Sequence, residues 1–121
     1  VHCNLSRDTH HLVNRDRLAV MPGIGADGTV CGNHVVNCAR GGIVDEVAVL
    51  EALNSGILSS AALDVFEIEP AIGNALLQHE CFHGSPHIGA ATLEAQTRVG
   101  AEMEGLLLAF FDGDCPVSAI N

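Results

Sequence analysis

The stretch Val35–Glu46, V-V-N-C-A-R-G-G-I-V-D-E, constrains the fold of this chain more than any other segment. A short apolar run ends at Asn37 and predicts a buried strand, and the closing acidic pair is typical of a helix start. Arg40 and two glycines lie between them, at the carboxyl end of the strand, where parallel sheets bind ligands. A planar guanidinium there can hold a carboxylate through two hydrogen bonds; the alternative is a surface arginine on a glycine turn.

Short apolar segments alternate along the chain with segments of helical periodicity. Strands are predicted at 33–38, 60–65 and 81–88, and the opening segment, 1–5, is also interpreted as strand-like. Helices are predicted from Asn14 to about Met21, from Asp45 to just before Gly56 and from Thr92 to about Phe111, because each begins with a capping residue. A helical turn is expected at 75–78 and a glycine-rich loop at 22–33. The alternation predicts βαβ units around a parallel sheet, and hence an α/β fold.

Composition and charge narrow the possible functions. A chain of 121 residues with 48% hydrophobic and 17% charged residues is one folded domain or a piece of one. The net charge of -10 argues against binding to nucleic acid or to an anionic membrane surface. The longest apolar run, Leu106–Phe111, is too short to span a bilayer, and no signal peptide is visible. Five cysteines without a C-x-x-C pair favour a reducing compartment, so we expect a cytoplasmic protein.

Arg40, Glu69 and His87 stand at the ends of three different predicted strands or just beyond them. The carboxyl ends of parallel strands share one edge of a sheet, so all three side chains can gather there. A histidine with a carboxylate behind it can move a proton near neutral pH, and an arginine nearby can hold an anionic substrate. We therefore expect Glu69 and His87 to lie within hydrogen-bond reach. Taken singly, each has a plainer interpretation, a structural histidine after Pro86 and a solvated glutamate.

A second motif, His79-Glu80-Cys81-Phe82-His83, matches the H-E-x-x-H signature of zinc metalloproteases. That chemistry needs both histidines on one face of a helix. Gly84, Ser85 and Pro86 follow at once and would end such a helix at its second ligand. A metalloprotease is therefore kept only as a remote alternative.

Three motifs together resemble one enzyme family. They are N-C-A-R-G-G-I-V-D-E (37–46), A-L-D-V-F-E-I-E-P (62–70) and P-H-I-G-A-A-T-L-E-A-Q (86–96), in the order and spacing of the D-isomer-specific 2-hydroxyacid dehydrogenases. The opening V-H-C-N-L-S-R-D-T-H-H-L-V-N is also similar to that family. Within it, the start of the last helix most resembles members that oxidise D-3-phosphoglycerate. The resemblance implies a Rossmann-like parallel sheet, the second half of a dinucleotide-binding domain, with a long C-terminal crossover helix.

The resemblance also implies the chemistry, which is oxidation of a small D-2-hydroxy acid with NAD as hydride acceptor and no metal. Arg40 would anchor the substrate carboxylate and carbonyl, His87 would transfer the proton, and Glu69 would orient and charge His87. The cofactor-binding positions carried over are Cys3, Cys38, Ala39, Arg40, Asp64, His87, Ile88, Gly89 and Ala90. The substrate implied is D-3-phosphoglycerate, oxidised to 3-phosphohydroxypyruvate in serine biosynthesis, and the full-length enzyme is expected to be a homo-oligomer.

The domain organisation follows from the same resemblance. Residues 1–91 are expected to form a partial NAD-binding domain without its glycine-rich loop, and 92–121 a crossover helix and a tail that returns to the substrate domain. The acidic residue that separates NAD from NADP binding is missing after a second strand, so that choice stays open. Asn4 and Ala91 replace the usual proline and serine, and G-I-G-A-D-G, between Met21 and Val35, looks inserted. A non-catalytic dinucleotide-binding or interaction module is the alternative.

We predict that the 121 residues alone bind NAD poorly and turn over no measurable 3-phosphoglycerate. Much of a dinucleotide's affinity comes from its pyrophosphate, held by a glycine loop at a helix N-terminus, and no G-x-G-x-x-G directly follows the opening segment to begin a helix. Calorimetry with NAD checks this expectation, and micromolar binding would contradict it.

Overall fold

Three parallel strands carry the predicted site residues. The structure is a computed structural model that describes residues 1–114. Its strands are β1 (His34–Asn37), β2 (Ser60–Leu63) and β3 (Phe82–Gly84), in the order β1-β2-β3 with both pairs parallel. Asn37 is paired in register with Leu63, and Leu63 with Gly84, so the three carboxyl ends lie in one row. The predicted parallel α/β arrangement is confirmed.

The helices begin at the residues that their capping chemistry predicts. They are α1 (Arg15–Ala19), α2 (Glu46–Asn54) and α3 (Leu93–Phe111), with a 3-10 helix at Ala75–Gln78. The side chains of Asn14, Asp45 and Thr92 accept hydrogen bonds from backbone amides of the first turn of α1, α2 and α3 respectively. Beyond α2, Gly56 adopts φ +74°, the left-handed conformation that commonly ends a helix.

The core lies between α2 and one face of the sheet. Burial alternates along β1 and β2, since Val35 and Asn37 are buried whereas His34 and Val36 are exposed. Helix α2 buries one face against these strands. The core side chains are Leu18, Val35, Val44, Ala48, Val49, Ala52, Leu53, Leu58, Ala61, Leu63, Phe66, Leu76 and Phe82. This packing holds the strand ends, and therefore the site, in fixed register.

One strand prediction was wrong, and another gave a strand that is too long. Residues 1–5 form no strand, because the hydroxyl of Thr9 donates to the carbonyl of Asn4 and accepts from the amide of Ser6, each at 2.7 Å. This local turn replaces ladder hydrogen bonds. The strand expected at 81–88 is only Phe82–Gly84. Pro86 has no amide hydrogen to donate, and His87 adopts a left-handed backbone conformation, so the ladder stops before them.

The loop predicted at 22–33 contains no regular helix or strand, in agreement with expectation. It closes on itself through an antiparallel bridge between Ile24 and Val30. Its segment Gly23–Gly28 spells G-x-G-x-x-G, but the loop precedes a strand and does not open a helix. The amides of Gly25 and Gly28 are hydrogen-bonded inside the loop, to the carbonyls of Thr29 and Gly25. The loop is therefore not built as a phosphate cradle, whose amides must point at the ligand.

By its internal contacts the chain divides into Val1–His87 and a second unit that begins at Ile88 and contains α3. The assignment of 1–91 and 92–121 to functional domains stays a prediction. Within residues 1–114, no helix is both long and apolar enough to cross a membrane.

Candidate active site

The turn after β1 is shaped by the side chain of Asn37, which is buried in the core. Its amide oxygen accepts from the backbone amide of Ala39 and its amide nitrogen donates to the carbonyl of Arg40, each at 3.0 Å. Its backbone carbonyl accepts from the amide of Asp64 at 2.9 Å, which ties the turn to β2. Asn37 thereby positions Arg40. Sequence reasoning did not assign it a role, although a single amide at the end of an apolar strand is a usable signal.

The two positions after Arg40 require glycine for different physical reasons. A Cβ added to Gly41 would lie 1.8 Å from the carbonyl oxygen of Phe66, so the two backbones touch at a distance that only glycine permits. Gly42 adopts φ +81°, which disfavours residues with a side chain. What approaches Gly41 is the segment that carries Glu69.

Arg40 is exposed, and its Nη1 donates to the carbonyl of Ala39 at 2.7 Å. Within residues 1–114, no acidic side chain forms an ion pair with it. Arg40 lines a cavity of about 600 Å³ together with Cys3, Cys38 and Ala39. The structure therefore brings four of the predicted cofactor-binding residues to one cavity.

Glu69 and His87 form the contact that the sequence predicts. Nδ1 of His87 donates to Oε2 of Glu69 at 2.8 Å, since an ionised carboxylate can only accept. The other carboxylate oxygen accepts from the amide of Phe66 at 2.9 Å. His87 has φ +56°, uncommon for a residue with a side chain, and such strain is concentrated at functional sites. The hydrogen bond to Glu69 therefore fixes the orientation of the imidazole through Nδ1, and Nε2 is the ring nitrogen on the side away from this contact.

The pKa of Glu69 lies below its ordinary value, first because of the hydrogen bond from His87 and second because of the one from the amide of Phe66. Desolvation and the charge of Asp64 act in the opposite direction but do not outweigh them. Glu69 is therefore ionised at neutral pH. Its contact with His87 is lost when the pH falls through this lowered pKa.

Asp64 is a buried carboxylate immediately beyond β2. Its Oδ1 accepts from the hydroxyl of Ser85 at 2.6 Å, and the amide of Ser85 donates to the carbonyl of Leu63 at 3.0 Å. Ser85 was not predicted as a site residue, because a serine between glycine and proline carries no distinctive pattern. Asn37, Asp64 and Ser85 together connect the carboxyl ends of all three strands.

The predicted residues fall into separate groups. Glu69 and His87 line a second cavity of about 600 Å³, with mainly apolar walls that include Phe66 and Leu77. This cavity is distinct from the one lined by Arg40. Ile88, Gly89 and Ala90, predicted beside the cofactor, belong to the second unit.

The H-E-x-x-H segment is not helical. His79 follows the 3-10 helix with extended backbone, and its Nδ1 accepts from the amide of Cys81 at 3.1 Å. Strand β3 begins at Phe82 and includes His83, so the two histidines cannot share a helix face. This local geometry removes the basis for a zinc metalloprotease.

Comparison with known proteins identifies the family. Residues 1–89 match the profile described as "D-isomer specific 2-hydroxyacid dehydrogenase, NAD binding domain". The chain belongs to this family. It is 44% identical over 121 residues to D-3-phosphoglycerate dehydrogenase of Bacillus subtilis, a match that covers 100% of this chain and 22% of that protein. The human D-3-phosphoglycerate dehydrogenase is 49% identical over 90 residues, which are 74% of this chain and 17% of that protein.

Solved structures agree with this family assignment. The NADPH-dependent glyoxylate/hydroxypyruvate reductase of Sinorhizobium meliloti, in complex with NADP and sulfate, superposes with a TM-score of 0.83 at 26% identity over 99% of this chain and 37% of that chain. For D-lactate dehydrogenase of Aquifex aeolicus with NAD and lactic acid, the TM-score is 0.72 at 29% identity, over 93% of this chain and 36% of that chain. This member of the dehydrogenase family thus matches between 14% and 22% of the length of these curated relatives.

The close approach at Gly41 makes a specific stability prediction for this dehydrogenase-family domain. Gly41→Ala should lower the free energy of unfolding by about 1–3 kcal/mol or more, because the new methyl group meets a backbone carbonyl that cannot rotate away. Gly25→Ala is the matched control, since its closest contact is the flexible carboxylate of Asp27 at 2.9 Å. Urea denaturation measures both, and an unchanged midpoint for Gly41→Ala would show that the two backbones can separate without cost.

Proposed function

We propose that this domain supplies the catalytic acid/base and the nicotinamide side of the cofactor site in an NAD-dependent D-2-hydroxyacid dehydrogenase. The proposed substrate is D-3-phosphoglycerate, oxidised to 3-phosphohydroxypyruvate. The hydrogen bond of 2.8 Å between Glu69 and His87 carries this proposal, because it joins a charged acceptor to an oriented imidazole. The substrate is suggested by the curated relatives, which are D-3-phosphoglycerate dehydrogenases.

His87 would transfer the proton through Nε2, because Nδ1 is occupied by Glu69. In oxidation, Nε2 removes the hydroxyl proton of the substrate, and the negative charge of Glu69 stabilises the imidazolium that results. In reduction, the same nitrogen returns the proton to the keto oxygen. Glu69 performs this task only while ionised, which its lowered pKa ensures at neutral pH.

Arg40 would bind the carboxylate of the substrate. Its guanidinium has no ion-pair partner in residues 1–114, so its charge is available to an anion. Asn37 holds the carbonyl of Arg40 at 3.0 Å and so restrains the backbone from which that side chain projects. A guanidinium placed in this way can form two parallel hydrogen bonds to a carboxylate.

The residues of the first unit fit a nicotinamide cofactor. Asp64 offers a buried carboxylate that can accept from a carboxamide, and Ser85 fixes its orientation at 2.6 Å. Cys3, Cys38 and Ala39 line the Arg40 cavity with short side chains that leave room for a ring. When bound, the nicotinamide supplies the hydride acceptor in oxidation and the hydride donor in reduction. We propose NAD rather than NADP on the family description; solved relatives contain one or the other.

A non-catalytic dinucleotide-binding module is the second candidate. It would need neither an oriented imidazole nor a charged partner behind it, and the Glu69–His87 contact therefore favours catalysis. Homo-oligomerisation, a cytoplasmic location and the lack of nucleic-acid or membrane partners stay predictions.

We predict that His87→Ala lowers kcat by about 10²–10⁴ in a complete enzyme that contains this domain, because the acid/base is lost. Arg40→Lys should impair substrate use, since an ammonium cannot form the bidentate contact. His83→Ala is the matched control, because His83 is exposed on β3 outside both cavities. Steady-state kinetics decides, and near-normal kcat in His87→Ala would remove the proposed mechanism.

We also predict that NAD protects Cys38 from alkylation in the same enzyme. Cys38 is exposed and lines the proposed cofactor cavity, whereas Cys31 is exposed outside it and serves as the internal control. Saturating NAD should slow the reaction of iodoacetamide with Cys38 severalfold and leave Cys31 unchanged. Mass spectrometry of the alkylated peptides gives both rates. If NAD slows the reactions of Cys38 and Cys31 equally, or does not slow that of Cys38, the cofactor binds elsewhere.

A further inference from the structure

One carboxylate of α2 holds both ends of the segment that carries Glu69. Oε1 of Glu46 accepts from the backbone amide of Glu67, and Oε2 accepts from Nδ2 of Asn74, each at 2.6 Å. Segment 67–74 lies between these two contacts and contains no helix or strand. Both carboxylate oxygens of Glu46 therefore bind segment 67–74, and not the backbone amides in the first turn of α2.

The segment has little burial of its own to keep it in place. Ile68 and Ile72, its large apolar residues, are 79% and 88% exposed. A segment with so little buried surface depends on polar contacts for its conformation. Besides the contacts of Glu46, the structure gives it a contact of 3.0 Å between Glu67 and Nε2 of His11, and the hydrogen bonds of Glu69 itself with His87 and with the amide of Phe66.

We infer that Glu46 is a positioning residue, which fixes segment 67–74 so that the carboxylate of Glu69 meets His87. The inference rests on the proposed function for its catalytic consequence, but the geometry of the Glu46 contacts is independent of it. A plainer role exists, because an acidic residue in the first turn of a helix is favourable in any case. The two roles differ in what a substitution does to Glu69.

A pair of substitutions tests the contact between Glu46 and Asn74. Glu46→Gln leaves one acceptor oxygen for two donors, so the new amide nitrogen faces either Nδ2 of Asn74 or the amide of Glu67, and one of the two contacts is lost. Asn74 cannot turn its amide to compensate without losing its cap, because Oδ1 accepts from the amide of Leu76 at 3.0 Å. In Asn74→Asp, the cap is kept but two carboxylates face each other. In the double variant, the amide introduced at position 46 donates to the carboxylate introduced at position 74. The charge of the original pair is then retained, and the contact is restored.

The first readout needs neither substrate nor activity. Carboxyl NMR of Glu69 in the intact protein should show its pKa raised toward the ordinary value in each single variant and lowered again in the double variant. The other charged groups that face Glu69, His87 and Asp64, are unchanged in all of them. Glu51→Gln, on the exposed side of the same helix, is the control and should leave the titration of Glu69 as it was.

The second readout is kinetic, on a complete enzyme that contains this domain. Each single variant should lower kcat roughly tenfold or more with KM within about twofold, because misplaced groups lose rate without losing substrate contacts. For reduction of the keto acid, the low-pH limb of the plot of kcat against pH should move to higher pH in each single variant, because Glu69 is then protonated at a higher pH. The double variant should recover both.

Loss of stability without a change in the titration of Glu69 would overturn the inference and leave Glu46 a helix-start residue. Failure of the double variant to restore the titration would overturn it equally. If the unsubstituted enzyme shows no turnover, the proposed function fails while the NMR result still decides the role of Glu46. If Glu46→Gln folds poorly, Asn74→Asp still tests the inference, because the residue at position 74 keeps its capping hydrogen bond from the amide of Leu76.

Discussion

The site depends on the backbone contact between Gly41 and Phe66. At this point the turn that carries Arg40 lies against the segment that carries Glu69, at a distance that excludes even a methyl group. The contact joins the carboxyl end of β1 to the segment that follows β2. Any residue with a Cβ at position 41 would push the two apart and carry Glu69 away from its place. The missing side chain therefore permits this distance, and the hydrogen bond from the amide of Asp64 to the carbonyl of Asn37 helps to maintain it.

Polar groups around that contact determine the orientation of the turns that leave the sheet. The carbonyl of Asn37 accepts from the amide of Asp64, and the carboxylate of Asp64 accepts from the hydroxyl of Ser85, so the bonds cross all three strand ends. These groups are buried or half-buried, where an unmatched donor or acceptor is costly. In the described part of the chain, every buried polar side-chain atom has a partner. The apolar core fixes the strand register, and these hydrogen bonds fix how the turns leave the sheet.

Much of this architecture was predictable because its signals are local. Capping by Asn14, Asp45 and Thr92 depends on a side chain and an amide within three residues, so the helix starts were correct. The Glu69–His87 contact was predictable because parallel strands bring their ends together. The opening segment was misjudged, since the hydroxyl of Thr9 competes with strand pairing. The roles of Asn37 and Glu46 were missed because their partners, at Arg40 and at Asn74, become visible only once the turns are folded.

The sequence by itself determined the family, the parallel α/β class and the pairing of Glu69 with His87, because these follow from the order of motifs and from the alternation of strands and helices along the chain. Only the tertiary structure decided that Arg40 and His87 line different cavities, and that G-I-G-A-D-G is a closed turn. It alone also showed that the H-E-x-x-H segment runs into a strand. The physical reason is the same in each case. A motif specifies which groups are present, whereas their distances depend on backbone contacts between residues far apart in sequence.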